Sequence, residues 1–446
     1  MSEKKGLYEA YRNNNKIDPA IYDRFGVKRG LRNPDGSGVL AGVTNICNVH
    51  GYVINEGEKY PDEGRLIFRG YSINDLVSNA VNEDRFGYEE IVYLLLGGEL
   101  PTEQQLASLR ATLDEHRELP YGFFEDMILK APSKNIMNKM ARSVLALYSY
   151  DDDPDSCTPE HEVDTAISII AKMPEIMVAA YHVKQRYFDH KTMFMHQLIP
   201  GLSTAETILS LLRPDRQYTP EEAHLLDIML MLHAEHGGGN NSTFTCRVLT
   251  SSGTDPYSAY SAAIGSLKGP RHGGANLKVI EMQNCIKENV KNWDDEGEVA
   301  DFLRKILRKE AGDGSGLIYG MGHAVYTLSD PRAVILKENA RKMAIGSEFE
   351  AEYHLLETIE RLTPELFKEV RGNDKQMCAN VDMYSGFVYK MLGIPQELFT
   401  PLFAVSRMAG WCAHRFEEAM TGRRIIRPAY KNVSRERAYT ALADRK

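Results

Sequence analysis

Apolar residues recur at three- and four-residue spacing along most of the chain. Glu89–Leu96, Glu103–Leu113, Val163–Val183, Glu221–His236, Tyr257–Leu267, Leu277–Val290 and Ala333–Ile345 each read as a helix on this periodicity. Start signals agree: Thr219-Pro220, Asp255-Pro256 and Asp330-Pro331 each place a capping side chain before proline at the first helical position. The triple glycine at 237–239 and Gly269-Pro270 read as stops. Strand-like runs are few. The best are Gly38–Val49 and Arg65–Arg69, which predict a small sheet or hairpin near the N-terminus. Strands and helices do not alternate, so the pattern predicts an all-α body and no doubly wound parallel sheet. Two stretches break the helical pattern: an acidic surface loop, Tyr150–Glu162, and the glycine-dense Glu310–Gly322. Glycine at such density inside a helical chain implies a hinge or close backbone approach to a ligand.

Composition narrows the classes. At 446 residues the chain is long enough for two or three domains at roughly 150 residues each. Lysine plus arginine number 53 and aspartate plus glutamate 62, a net charge of −9. With no long basic run, nucleic-acid binding is disfavoured, and an anionic ligand must be caught by a local cluster of Arg, Lys and His. The six cysteines stand at 47, 157, 246, 285, 378 and 412, never as CxxC, and read as reduced thiols. The N-terminus lacks an apolar signal region, and the most apolar run, Leu225–Leu232, is broken by Asp227 and too short to span a bilayer. The expected location is cytoplasmic.

Five constellations could do chemistry. His233 and His236, in LHAEHGGGNN, stand three apart at an apolar helix end, so both could face one side. They could hold a metal as in a zinc hydrolase, though no third ligand is nearby, or be packed core and capping residues. His272, in GSLKGPRHGGAN, precedes a new helix whose N-terminal charge disfavours imidazolium. A neutral imidazole there could donate to a carbonyl oxygen, or be a turn residue without a role. His323 lies in a glycine loop, and Arg332 sits in the first turn of the next helix, where a cation opposes the dipole; that suits an anionic ligand shared by Arg332 and the helix amides, the alternative being a solvated arginine. Asp382, before the apolar run Phe387–Leu392, could be a general base with a raised pKa, or a helix cap. Arg407 and Arg427 could grip carboxylates bidentately, and two or three arginines converging on one pocket would imply a di- or tricarboxylate.

Together LHAEHGGGN, LKGPRHGGAN, GMGHAVYTLSDPR, NVDMYSGFVYKMLGIP and FAVSRMAGW closely resemble the citrate synthase family, in the family's order and spacing. The similarity runs from about Gly38 to the RPAY segment. It implies a mostly helical fold with a large domain (1–272 and 388–446), a smaller mobile domain (273–387) and a homodimer. It implies condensation of an acyl-CoA thioester with a 2-oxo dicarboxylate and then thioester hydrolysis, with no cofactor and no metal. On this resemblance Asp382 is the base, His272 the donor to the enol oxygen and His323 the donor to the oxaloacetate carbonyl. His236, Arg332, Arg407 and Arg427 form the carboxylate clamp, Arg427 coming from the partner subunit, and Phe403 is the aromatic beside the acceptor. Leu317, Ile318, Gly320, Gly322 and Lys375 fall at the CoA site. The family's loop often carries Pro-Gly-Tyr or Pro-Gly-Phe where this chain has Tyr319-Gly320-Met321. Citrate formation from acetyl-CoA is the leading expectation. Use of propionyl-CoA to make 2-methylcitrate is the nearest alternative, and a helical scaffold without activity is the non-enzymatic one.

Overall fold

The computed structural model describes residues 2–33, 36–56, 58–372, 376–422 and 424–445. It is mostly helical, with one small sheet near the N-terminus. The sheet has three antiparallel strands in sequential order: β1 (Cys47–Asn55), β2 (Glu58–Phe68) and β3 (Tyr71–Ser72). The expected strands are therefore shifted. Residues 39–45 form no strand, and β2 begins seven residues before Arg65. Polar and charged side chains dominate the outer half of the hairpin, which is exposed, so no apolar alternation marks it.

The expected helices form, with clear end shifts in three of them: Glu103–His116 runs three residues past Leu113, Pro159–Phe188 extends beyond Val163–Val183 at both ends and takes in the last four residues of the expected surface loop, and one helix stops early. Pro220–His233 stops three residues short of His236, because the chain turns at Ala234 before the glycines are reached. Capping accounts for the starts: Thr219 accepts from the Glu222 N–H in a full capping box, and Asp255 and Asp330 accept from Ser258 and Arg332. The central element is Phe399–Thr421, buried along most of its length, which packs against Pro159–Phe188, Pro220–His233, Asn241–Thr250 and Pro256–Leu267. A second group, Ala275–Asn289, Glu296–Leu307, Pro331–Ala344, Glu350–Arg371 and Asp382–Met391, packs mainly on itself. Pro331–Ala344 also touches Pro220–His233, Ile73–Asn82 and β2. The candidate site lies where the two groups meet. No helix among the described residues is long and apolar enough to cross a membrane.

Candidate active site

His272 is half-buried in the turn before Ala275–Asn289, but that helix is not the one that fixes its charge. The Ser242 N–H, in the first turn of Asn241–Thr250, donates to His272 Nε2 at 3.2 Å, and the Ser242 hydroxyl lies 2.9 Å from the same nitrogen. The hydroxyl in turn accepts from Trp411 Nε1–H at 3.2 Å. An N–H donor at Nε2 leaves the ring proton on Nδ1. Burial, reinforced by the Arg407 charge, pushes the pKa down to about 4, so the ring is neutral at physiological pH.

His323 is held the opposite way round. Its Nδ1 accepts from the Val325 and Tyr326 N–H groups at 3.0 and 3.1 Å, which puts the proton on Nε2. Burial and then Arg332 push its pKa to about 4 as well. The Tyr326 ring stacks on it at 4.6 Å, and His236 meets it edge-on at 5.3 Å.

Asp382 is the first residue of Asp382–Met391, but it is not the cap. Asn380 Oδ1 accepts the Asp382 N–H at 3.0 Å, leaving the Asp382 carboxylate without a hydrogen bond among the described residues. Burial raises its pKa to about 6, against the opposing pull of Arg332. A short ladder ties this residue to the histidine loop. Gly322 N–H donates to Cys378 O at 2.7 Å, Asn380 N–H to Gly320 O at 2.8 Å, and Asn380 Nδ2 to Gly322 O at 2.9 Å. The glycines at 312, 314, 316, 320 and 322 all have positive φ, so this loop follows a path that side-chain-bearing residues resist.

The cationic side of the cluster holds Arg332, Arg407 and His236. Arg332 is buried and donates from Nε and Nη2 to Asp330 at 3.0 and 2.7 Å. The chain's own cap thus places a carboxylate beside Arg332 at this helix start, and it raises the Arg332 pKa. Arg407, 1% exposed, donates from Nε to His233 O at 2.7 Å and lies 4.6 Å over the Phe403 ring. Its Nη2 is buried with no partner among the described residues, as is His236 Nε2. Burial pushes the Arg407 pKa down to about 10, with Glu235 opposing and Arg332 reinforcing. His236 is pushed well below the usual histidine range by burial and then by Arg332. Its position past the helix end takes it off the face shared with His233.

His233 is a core residue. It is buried, its Nδ1 donates to Met229 O at 2.8 Å, and its ring packs edge-on against Phe403 at 4.6 Å. It therefore seats Phe403 and Arg407. Among the described residues no group of three or more His, Cys, Asp and Glu side chains is arranged to hold a metal ion. Leu317 is exposed and lines a cavity of about 220 Å³ with Tyr319, Met282 and Lys278, whereas Ile318 is buried. A neighbouring cavity of about 360 Å³ is lined by Lys134, Lys268, Lys278, Pro270 and Gly274, beside the His272 turn. Lys375 lies outside the described residues. Arg427 is exposed in an extended C-terminal segment and makes no ion pair or hydrogen bond with the cluster; its neighbour Ile426 is anchored by its N–H to Ser251 Oγ at 3.0 Å.

Sequence reasoning missed the residues that orient the others. Ser242 and Asn380 sit beside motifs already singled out, yet only long-range contact gives them work. The same holds for Glu235 and His414, buried and paired at 2.9 Å behind His236.

Two neutral histidines, a carboxylate with a raised pKa and a buried arginine with a free donor are the groups that proton abstraction beside an anionic substrate would require. The comparisons agree with that class. The family profile described as citrate synthase, C-terminal domain, matches residues 34–429. The chain is 34% identical over 408 residues to the citrate synthase of Haloferax volcanii, covering 90% of this chain and 94% of that protein. It is 32% identical over 427 residues to 2-methylcitrate synthase 1 of Corynebacterium glutamicum, covering 94% and 98%. Among solved structures it is similar to citrate synthase from Pyrobaculum aerophilum, with TM-score 0.75, 28% identity and coverage of 93% and 97%. It is also similar to the Thermoplasma acidophilum enzyme in ternary complex with carboxymethyl coenzyme A and oxaloacetate, with TM-score 0.73, 28% identity and coverage of 91% and 97%. The chain belongs to the citrate synthase family and is an acyltransferase of that class.

Proposed function

We propose that the protein condenses acetyl-CoA with oxaloacetate and water to give citrate and free CoA. Asp382 takes a proton from the acyl carbon, while His272 Nδ1–H donates to the thioester oxygen and stabilises the enol. The enol carbon then attacks the oxaloacetate carbonyl, whose oxygen receives a hydrogen bond and its proton from His323 Nε2–H. Water then hydrolyses the thioester: its hydroxyl bonds to the acyl carbon, its other proton restores His323, and the CoA sulfur leaves as the thiol with the proton that Asp382 had taken. Arg407 Nη2 and His236 hold the acceptor's carboxylates with Arg332, against Phe403.

The observation that carries this reading is that the two imidazoles are neutral and protonated on opposite nitrogens, while hydrogen bonds tie the His323 loop to the segment carrying Asp382, a carboxylate whose pKa is raised to about 6. Neutral imidazole is a donor that does not protonate the base beside it, and a carboxylate near 6 is a stronger base than a solvated one while still ionised at pH 7. Acyl-CoA is read along the loop at 317–322, with Lys375 and the lysines at 134, 268 and 278 supplying charge for its phosphates. The segment 273–387 is read as the smaller domain that closes over the substrates and excludes water. Arg427, exposed in one chain, is read as the partner subunit's contribution in a cytoplasmic homodimer.

Thiol release with oxaloacetate tests the reading. Acetyl-CoA is expected to give the higher kcat/KM, and Asp382→Asn is expected to abolish release while oxaloacetate still binds. A higher kcat/KM for propionyl-CoA would instead favour 2-methylcitrate formation, which relatives such as the Corynebacterium protein support. One methylene is worth only about 1–3 kcal/mol, so the preference must be measured. No release with either thioester would overturn the proposal.

A further inference from the structure

The N-terminal hairpin contributes no group to the reaction proposed above, yet it packs against the loop that carries His323. The β1–β2 register is irregular between His50 and Tyr52, around Gly51. Gly51 is buried, and a Cβ built on it would stand 2.7 Å from Tyr326 Cα and 2.8 Å from Val325 O. Its φ lies outside the left-handed region, so space and not backbone conformation demands glycine here. Two further contacts fasten the same loop. Thr327 Oγ1–H donates to Gly51 O at 2.5 Å, and Gly64 N–H donates to Ser329 Oγ at 3.1 Å. A Cβ on Gly64 would collide with Ser329 O.

These contacts bracket the Val325–Tyr326 peptide, and the two N–H groups of those residues are the donors that hold His323 Nδ1. We propose that the hairpin is a positioning element for His323, with Gly51 and Thr327 as the residues that hold those amides in place and so keep the ring proton on Nε2. This rests on the role given to His323 above. A methyl group at position 51 must push the Val325–Tyr326 backbone away. Nδ1 then loses its donors, the proton is free to move to Nδ1, and Nε2 can no longer donate to a carbonyl oxygen.

The test uses the full chain. Gly51→Ala is expected to lower kcat for thiol release about 100-fold, the scale of a small misplacement of a reacting group. KM for the acyl-CoA is expected to stay within about twofold, because that ligand is read along 317–322, ahead of the Val325–Tyr326 peptide that the methyl group displaces. Thr327→Val is expected to show the same pattern more weakly. In ¹⁵N NMR of histidine-labelled protein, with His323 identified by signals lost in His323→Gln, the parent is expected to show an unprotonated, acceptor-type Nδ1. Gly51→Ala is expected to lose that signature. Gly42→Ala, at an open position with no atom within 4 Å of its Cβ, is expected to match the parent in both readouts. Parental kcat together with a parental Nδ1 signal in Gly51→Ala overturns the proposal. So does an equal loss of kcat in Gly42→Ala. Should Gly51→Ala fail to fold, Thr327→Val is judged by the same two readouts. If the parent releases no thiol, the reaction assigned to the site fails, and the Nδ1 signal alone decides whether the hairpin holds His323.

Discussion

Arg332 and Arg407 lie in one cluster, 4% and 1% exposed, and the chain surrounds them differently. Arg332 has a buried carboxylate of its own, Asp330, gripped through two nitrogens. Arg407 has a backbone carbonyl at Nε, an aromatic face beneath it and a bare Nη2. Glu235 acts on it through charge alone: both bonds of that carboxylate, to His414 and from the Gly237 N–H, run through Oε1, and it makes no hydrogen bond to Arg407. Opposite pKa directions follow: the Asp330 charge raises Arg332, and desolvation lowers Arg407. A buried cation without a counter-ion is costly unless a ligand supplies one. The contrast implies that Arg332 is balanced in the free protein, whereas Arg407 is left to be balanced by substrate.

The sharpest way to break this contrast is to remove each balancing group. Asp330→Asn strands a buried guanidinium and is expected to cost roughly 3–5 kcal/mol of stability, read from urea unfolding. A loss well below that would show that Arg332 needs no internal partner. Arg407→Leu is expected to weaken oxaloacetate by about 1.5–3 kcal/mol in calorimetry, while the unfolding midpoint of the free protein holds or rises. A stability loss matching that of Asp330→Asn would erase the distinction. Oxaloacetate at about 100 times its Kd is expected to stabilise the parent by about 2.7 kcal/mol. At the same concentration Arg407→Leu should gain distinctly less.

The smallest effect is on pH dependence. Asp382 must be ionised to act as a base, and its pKa is raised to about 6, so kcat/KM should fall as pH drops through about 6. Both histidines, near 4, remain neutral through that range. Arg332 favours the Asp382 carboxylate, so Arg332→Gln is expected to move the acid limb to higher pH. Arg407 is not among the charges that bear on Asp382, and Arg407→Leu is expected to leave the limb in place. Equal movement in both variants would mean that the two arginines act on the base alike.

Much of the helical body was legible because local signals agree there: apolar spacing, Thr and Asp caps, and proline at first turns. The hairpin was legible only in its inner half, where Leu66 and Phe68 are buried; its outer strands carry polar residues and no alternation. For His272 the helix that follows it is the local reason to expect a neutral ring, whereas burial and the Arg407 charge are what lower its pKa. The N–H that fixes its tautomer belongs to Ser242, thirty positions earlier in the chain. The position of Arg332 at a helix start points to an anionic ligand shared with the helix amides; the carboxylate that the fold itself sets against it is Asp330, two residues away. His233 and His236 could not be separated by spacing alone, because their separation depends on where the helix ends.

The order of residues alone determined which chemical groups this protein owns and which segments coil into helices, since both depend on side-chain identity and on neighbours within a turn or two. Folding in three dimensions decided which nitrogen of each histidine carries the proton, which arginine keeps a vacant donor, and that a glycine in an N-terminal strand lies against the loop of His323. Those outcomes depend on hydrogen-bond partners and excluded water brought from far along the chain, and no local pattern encodes them.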